Sequence, residues 1–137
     1  MNLKQRQRLL LVLVVVSIIS TAFHYTDNFI FIQDYPQPES ITPTSIYITW
    51  LILTTVGGLG YWLFQLEIFW LSLLLLAVYS LTGISSLAHY FYGAMTDFSP
   101  KMHLLIWTDG LIGFAILGFV VWSSLTLNKL SKPDTMH

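Results

Sequence analysis

Four long apolar stretches, separated by short polar segments, dominate the sequence. They cover about 9–25, 46–66, 68–90 and 102–127. Each is close to the ~20 residues that an α-helix needs to cross a ~30 Å hydrocarbon layer. With 55% apolar and 9% charged residues, the chain also lies far from soluble domains, in which about a quarter of residues are charged. The sequence therefore predicts an all-α fold, an integral membrane four-helix bundle forming one transmembrane domain over residues 1–137.

The basic residues predict the orientation of this bundle. Four spans would place five of the six lysines and arginines on one side, namely Lys4, Arg6, Arg8, Lys129 and Lys132, with Lys101 opposite. The positive-inside rule then puts both termini in the cytoplasm. The functional loops face the periplasm, lumen or exterior. In a competing interpretation, the basic N-terminal residues and the first apolar run form a signal peptide. It would be cleaved after the small-residue segment Ser20-Thr21-Ala22. The aromatic residues and Asp27 around that cleavage point favour a retained first span.

A short internal similarity links the first and third spans. Residues 19–25 read ISTAFHY and residues 84–90 read ISSLAHY, so isoleucine, serine, histidine and tyrosine recur in register. This predicts two tandem helix-hairpin repeats in the same orientation, related by an axis along the membrane normal. In such an arrangement, His24 and His89 face one another across the bundle axis. His103 and Asp109 have no counterpart in the first repeat.

Ionisable residues collect where the spans reach the predicted outer face. His24, His89 and His103 lie at that end of three different spans, and Asp27 and Asp109 are close by in sequence. An ionisable group in hydrocarbon costs roughly 2.5–3.5 kcal/mol on insertion scales, so several at one depth predict a shared site. His103 and Asp109 lie about 120° apart around a helix. We therefore expect Asp109 to accept a hydrogen bond from a histidine and fix its tautomer.

Each of these residues also has a purely structural interpretation. A histidine at a membrane interface can belong to an aromatic belt, together with side chains such as Tyr90 and Trp107. Asp109 can instead be protonated and donate a hydrogen bond. Small and hydroxyl residues at helical spacing are typical of helix packing in lipid. On this basis we expect the faces bearing the following residues to point inward: Ser17, Ser20, Thr21, Gly57, Gly58, Gly60, Gly110, Gly113 and Gly118.

Three functional hypotheses follow from the histidines. The first is a site for a zinc-like divalent metal or small ligand at His24, His89, His103, Asp109 and Asp27, in a metal-dependent enzyme acting on lipids. The second is a b-type haem held between His24 and His89. The third is a non-catalytic accessory or assembly subunit that binds a membrane-protein partner within the lipid bilayer. The sequence leaves open whether the protein is an enzyme.

Several classes are excluded or unsupported. The chain has no cysteine, which excludes disulfides, thiolate metal sites and cysteine nucleophiles. It also lacks the GxSxG and HExxH motifs of serine hydrolases and zinc proteases. A net charge of -1 gives no indication of nucleic-acid binding.

Overall fold

A computed structural model describes residues 1–127, which are helical throughout apart from short connections and contain no strand. The four α-helices are α1 (Leu3–Ile30), α2 (Pro43–Gln65), α3 (Phe69–Ile84) and α4 (Pro100–Thr126). Two 3-10 helices follow α3, at Ser85–Phe91 and Met95–Asp97. The first continues α3, and together they give a helical span over Phe69–Phe91. Each of the four spans is long and apolar enough to cross a membrane, which confirms the predicted four helices.

Local capping explains where the helices begin. At α1, the Asn2 side chain accepts a hydrogen bond from the Gln5 backbone N–H, and the Gln5 side chain accepts one from Asn2. This reciprocal pair satisfies donors that a helix start leaves free, so α1 begins at Leu3, ahead of the predicted start near residue 9. A hydroxyl cap followed by proline starts both α2, at Thr42-Pro43, and α4, at Ser99-Pro100.

The helices form a closed square of antiparallel neighbours. α1 packs against α2 and α4, and α3 packs against the same two, so that α1 and α3 lie on one diagonal. A tight turn joins α2 to α3, with Glu67 in the left-handed region at φ 61°, a conformation that reverses the chain within very few residues. We call the end with this turn and the N-terminus the hairpin end. The end with segments 31–42 and 92–99 is the loop end.

The bundle buries polar side chains beside its apolar core and exposes large apolar side chains on its exterior. Large apolar side chains point outward on every helix, for example Phe23, Trp70 and Leu111, which are 67%, 73% and 64% exposed. Buried polar groups include Ser17, Thr21, His24, Ser72, Ser80 and Asp109. This distribution suits a lipid surround, because polar groups in hydrocarbon are costly unless they pair inside the protein.

Close approach of α3 and α4 depends on two glycines. A side-chain carbon at Gly113 would lie 2.7 Å from both the Ile84 nitrogen and the Ser80 carbonyl oxygen, and one at Gly83 would collide with the Asp109 carbonyl. The expectation of inward-facing glycines is therefore confirmed here. It is wrong for Gly58 and Gly118, which have no neighbouring atoms within 4 Å and lie on the outer surface.

A buried arginine connects the first and last helices at the hairpin end. Arg6 is only 4% exposed. Its Nη1 donates a hydrogen bond of 2.7 Å to Thr126 Oγ1, and its guanidinium lies 4.0 Å from the centre of the Trp122 ring. Such a cation–π contact stabilises a charge that has left water. Lys129 and Lys132, which contribute to the predicted orientation, lie outside the described residues.

Candidate functional site

A buried His24–Asp109 pair forms the centre of the polar network. His24 on α1 and Asp109 on α4 are 1% and 0% exposed, and His24 Nδ1 lies 2.7 Å from Asp109 Oδ2. Sequence considerations led us to expect a histidine on Asp109, and the structure identifies it as His24. The contact joins helices that are far apart in the sequence.

Two hydroxyl groups complete the surroundings of the carboxylate. Ser20 Oγ donates to Asp109 Oδ1, and Ser86 Oγ lies 3.4 Å from Oδ2. Asp109 is the acceptor in both of these hydroxyl contacts. We therefore assign the proton to His24 Nδ1, which donates to Asp109, as in other sites where a carboxylate fixes a histidine tautomer.

This arrangement leaves the second nitrogen of His24 without a partner. Nε2 is buried, and no atom of residues 1–127 forms a hydrogen bond with it. The two nitrogens of an imidazole point away from each other, so Nε2 faces away from Asp109. His24 also lines a cavity of about 240 Å³ at the loop end. An imidazole nitrogen that carries no proton can accept a hydrogen bond or a proton.

His89 lies against His24 but has both of its nitrogens occupied. The two ring centres are 5.1 Å apart. His89 Nδ1 lies 2.8 Å from the Ser86 carbonyl oxygen and therefore donates to it. Nε2 then accepts from Asn28 Nδ2 at 3.2 Å. The two rings lie side by side, but the backbone is α-helical at His24 and 3-10 at His89, and the tandem repeat stays a prediction.

His103 belongs to a separate aromatic cluster. Its ring stacks on Tyr90 with centres 5.6 Å apart, and its Nδ1 lies 2.7 Å from the Tyr90 hydroxyl. Nε2 lies 3.1 Å from the Met95 carbonyl oxygen. Phe98 also contacts the His103 ring. This environment corresponds to the aromatic-belt interpretation, and the structure does not place His103 beside Asp109.

Asp27 also lies apart from the histidines and holds the long loop in place. It forms an ion pair with Lys101 at the start of α4 and accepts a hydrogen bond of 2.9 Å from the Tyr35 hydroxyl. Burial raises the pKa of Tyr35 above its usual value, so the hydroxyl stays protonated at neutral pH. We call Asp27, Tyr35 and Lys101 the loop latch. It fixes segment 31–42, which contributes Gln37 to the cavity.

The predicted metal site is not supported by this geometry. Within residues 1–127, no group of three or more histidine, aspartate or glutamate side chains is arranged to hold a metal ion. The physical reason is that Asp109 is turned toward His24, while His103 and Asp27 have other partners. The haem hypothesis also lacks support, because neither nitrogen of His89 is free and its ring packs directly on His24.

The cavity lining comes from four parts of the chain and includes no lysine, arginine, aspartate or glutamate. Its polar side chains are His24, Tyr25 and Asn28 of α1, Gln37 of the loop, Ser45 and Thr49 of α2, and Ser85, Ser86, His89 and Tyr92 at or just after the 3-10 helix. Sequence considerations missed Gln37, Ser45 and Thr49, because a loop glutamine and helix hydroxyls give no distinctive pattern. At about 240 Å³, the cavity is slightly smaller than typical sites for drug-sized ligands.

Comparison with known proteins assigns this chain to no family. No protein family, curated protein or solved structure shows a significant match to this chain. A fold of this kind hosts many unrelated functions.

Proposed function

We propose that this is an integral membrane protein whose loop-end cavity binds a small, uncharged molecule that donates a hydrogen bond to His24 Nε2. The observation that carries the proposal is this one buried nitrogen, which has no partner within residues 1–127 while Asp109 holds the opposite side of the ring. An unpaired buried polar group costs about 1–3 kcal/mol. A ligand with an O–H or N–H group would recover that free energy.

The lining supports an uncharged ligand. None of the residues around the cavity is a lysine, arginine, aspartate or glutamate, so a charged ligand would lose its hydration without gaining a counter-ion. Asn28, Thr49 and Ser85 instead offer amide and hydroxyl groups along the wall. Small alcohols and the polyol portion of lipid headgroups belong to this chemical class.

The proposed orientation puts the cavity on the non-cytoplasmic side. Lys4 and Arg8 are exposed at the hairpin end, whereas Lys101 at the loop end is paired with Asp27. The positive-inside rule then assigns the hairpin end and both termini to the cytoplasm. The ligand would reach the cavity from the periplasm, lumen or exterior.

A divalent metal is a weaker candidate for the same cavity. His24 Nε2 could supply one ligand, but His89 would have to give up its bond to Asn28 or to Ser86 to supply a second. Structural zinc sites need four such ligands and catalytic ones three. A membrane-protein partner stays a prediction.

Catalysis is the second candidate function, and the His24–Asp109 pair is the specific observation that favours it. A carboxylate that orients an imidazole is the arrangement used in general-base catalysis. The nearby hydroxyls of Ser20 and Ser86 contact Asp109 and not Nε2. Within residues 1–127, no serine is therefore placed for nucleophilic attack through this histidine. Any reaction would begin with removal of a proton from the ligand itself.

Imidazole nitrogen NMR of the ¹⁵N-histidine-labelled protein in micelles tests the proposal. Glycerol and acetamide serve as hydrogen-bond donors, and acetate serves as a probe that only accepts. We expect the donors to shift the Nε2 resonance of His24 and acetate to leave it unchanged. The substitution His24→Asn provides the assignment, because its amide can still donate to Asp109 while Nε2 is lost.

His103→Asn is the matched control, since His103 lies outside the cavity and its loss should leave the response intact. A proton on His24 Nε2 in the free protein, or a response to acetate alone, would overturn the proposal. Either result would mean that Nε2 carries a proton, in a cationic imidazole or in the other neutral tautomer, and donates a hydrogen bond. Donor-induced shifts confined to histidine resonances that persist in His24→Asn would also exclude His24 as the binding group.

A further inference from the structure

A second cavity lies at the hairpin end, which is the opposite end of the bundle from the His24 cavity. Its volume is about 260 Å³, and it opens between the first turns of α1 and the last turns of α2. It is lined by Lys4, Gln7, Arg8 and Leu11 of α1 and by Tyr61 and Gln65 of α2. None of these residues belongs to the His24 site.

Two cations share one side of this cavity. Lys4 and Arg8 are four residues apart on α1 and so project from the same face of the helix. Within residues 1–127, neither forms an ion pair or a side-chain hydrogen bond, because the two ion pairs there involve His24 and Lys101. Like charges at this spacing repel one another. An anion between them would remove that repulsion.

The facing helix adds neutral hydrogen-bond donors. Gln65 Nε2 is buried and forms no hydrogen bond with any atom of residues 1–127. Tyr61 lies one turn earlier on α2 and also lines the cavity. An amide N–H and a phenol O–H therefore stand opposite the two cations. A set made largely of donors fits a ligand rich in acceptor oxygens.

We propose that this cavity binds a phosphate group, and that the phosphate is carried by the headgroup of an anionic lipid. The Arg8 guanidinium can bind two phosphate oxygens at once, while Lys4 supplies a point charge. Leu11 lies one turn deeper on α1, where 42% of its surface is exposed and can contact the glycerol or acyl part. That apolar wall favours a lipid over free phosphate, and basic residues at this depth attract anionic lipids.

Ligand titration of the full chain in a neutral detergent tests this site. Short-chain phosphatidylglycerol, short-chain phosphatidylcholine and inorganic phosphate are added separately, and binding is followed by the rise in the thermal unfolding midpoint. We expect phosphatidylglycerol to bind most tightly. Arg8→Gln should weaken it about fivefold, the usual effect of one basic residue at a membrane surface. Lys4→Gln is the second variant if Arg8→Gln does not fold.

Gln65→Glu and Gln5→Glu form a matched pair. Both add one negative charge at the hairpin end, but only Gln65 lines the cavity. Glutamate at position 5 can keep the hydrogen bond that Gln5 accepts from the Asn2 backbone. We expect Gln65→Glu to weaken phosphatidylglycerol binding about tenfold or more, because like charges would meet there. Gln5→Glu should bind as the wild type does.

The outcomes separate the possible sources of binding. Preference for phosphatidylglycerol over inorganic phosphate, with loss only in the cavity variants, supports the proposal. Equal binding of inorganic phosphate would support a phosphate site and refute the lipid as its source. Equal binding of phosphatidylcholine, or equal losses in Gln5→Glu and Gln65→Glu, would overturn the site itself. The result is independent of the His24 cavity.

Discussion

Replacing Gly113 by alanine should force α3 and α4 apart. The added carbon would lie 2.7 Å from two main-chain atoms of α3, the Ile84 nitrogen and the Ser80 carbonyl oxygen, where ordinary contacts are 3.4–4 Å. No side-chain rotation can relieve contacts with main-chain atoms. The helices must therefore separate by several tenths of an ångström. Overpacking of this kind destabilises by about 1–3 kcal/mol, and we expect the upper half of that range.

Two other glycines on α4 provide a graded control. At Gly110 the nearest atoms are 3.3 Å away and belong to the Leu87 side chain, which can move, so Gly110→Ala should cost about 1 kcal/mol or less. A carbon added at Gly118 meets no atom within 4 Å, so Gly118→Ala should be neutral or stabilise by up to about 1 kcal/mol, because alanine favours a helix over glycine. Reversible unfolding in mixed micelles, followed by circular dichroism, gives all three values. Equal effects at Gly113 and Gly118 would refute the close approach of α3 and α4.

Three further predictions concern the polar network. Asp109→Leu should be less stable than Asp109→Asn by about 1–3 kcal/mol, because leucine leaves the His24 donor without an acceptor; equal unfolding free energies would contradict the buried contact. Elemental analysis and absorption spectra of the purified protein should show neither a stoichiometric metal nor a Soret band, and a metal lost in His24→Asn would contradict an uncharged ligand. Tyr35→Phe should speed proteolysis of segment 31–42 roughly fivefold, the effect of losing about 1 kcal/mol, and unchanged cleavage would contradict the loop latch. Because burial raises the pKa of Tyr35 above its usual 10.0, the latch should be intact below that pH and weaken as pH rises through the raised value.

The sequence was sufficient to predict the four helices, but it predicted less well where each helix begins and ends. Apolar length is a strong signal, and each predicted span has its helix. α1 extends from Leu3 to Ile30, well beyond 9–25, because capping and inward-facing polar residues continue the helix past the apolar run. The Asn2–Gln5 pair was a usable signal for that start. The change from α-helix to 3-10 helix at Ser85 had no counterpart in the periodicity.

The candidate site could also be predicted only in part. His24, His89 and Asp109 stand out because ionisable residues are rare in apolar runs, and the structure brings these three together. His103 and Asp27 were grouped with them on depth alone. Depth along a helix does not determine direction around it, and these side chains turn toward Tyr90 and Lys101. Contacts between distant segments decide such directions, and one sequence does not display them.

The contacts between α1 and α4 also determine the order in which the bundle can be completed during synthesis. His24 and Ser20 on α1 find their acceptor in Asp109, and Arg6 finds Thr126 and Trp122, all on α4. The ribosome makes these partners last. Throughout translation of α2 and α3, the first helix therefore carries polar groups whose partners have not yet been synthesised. In a bilayer, these polar groups would find their partners only after α4 has joined the other three helices.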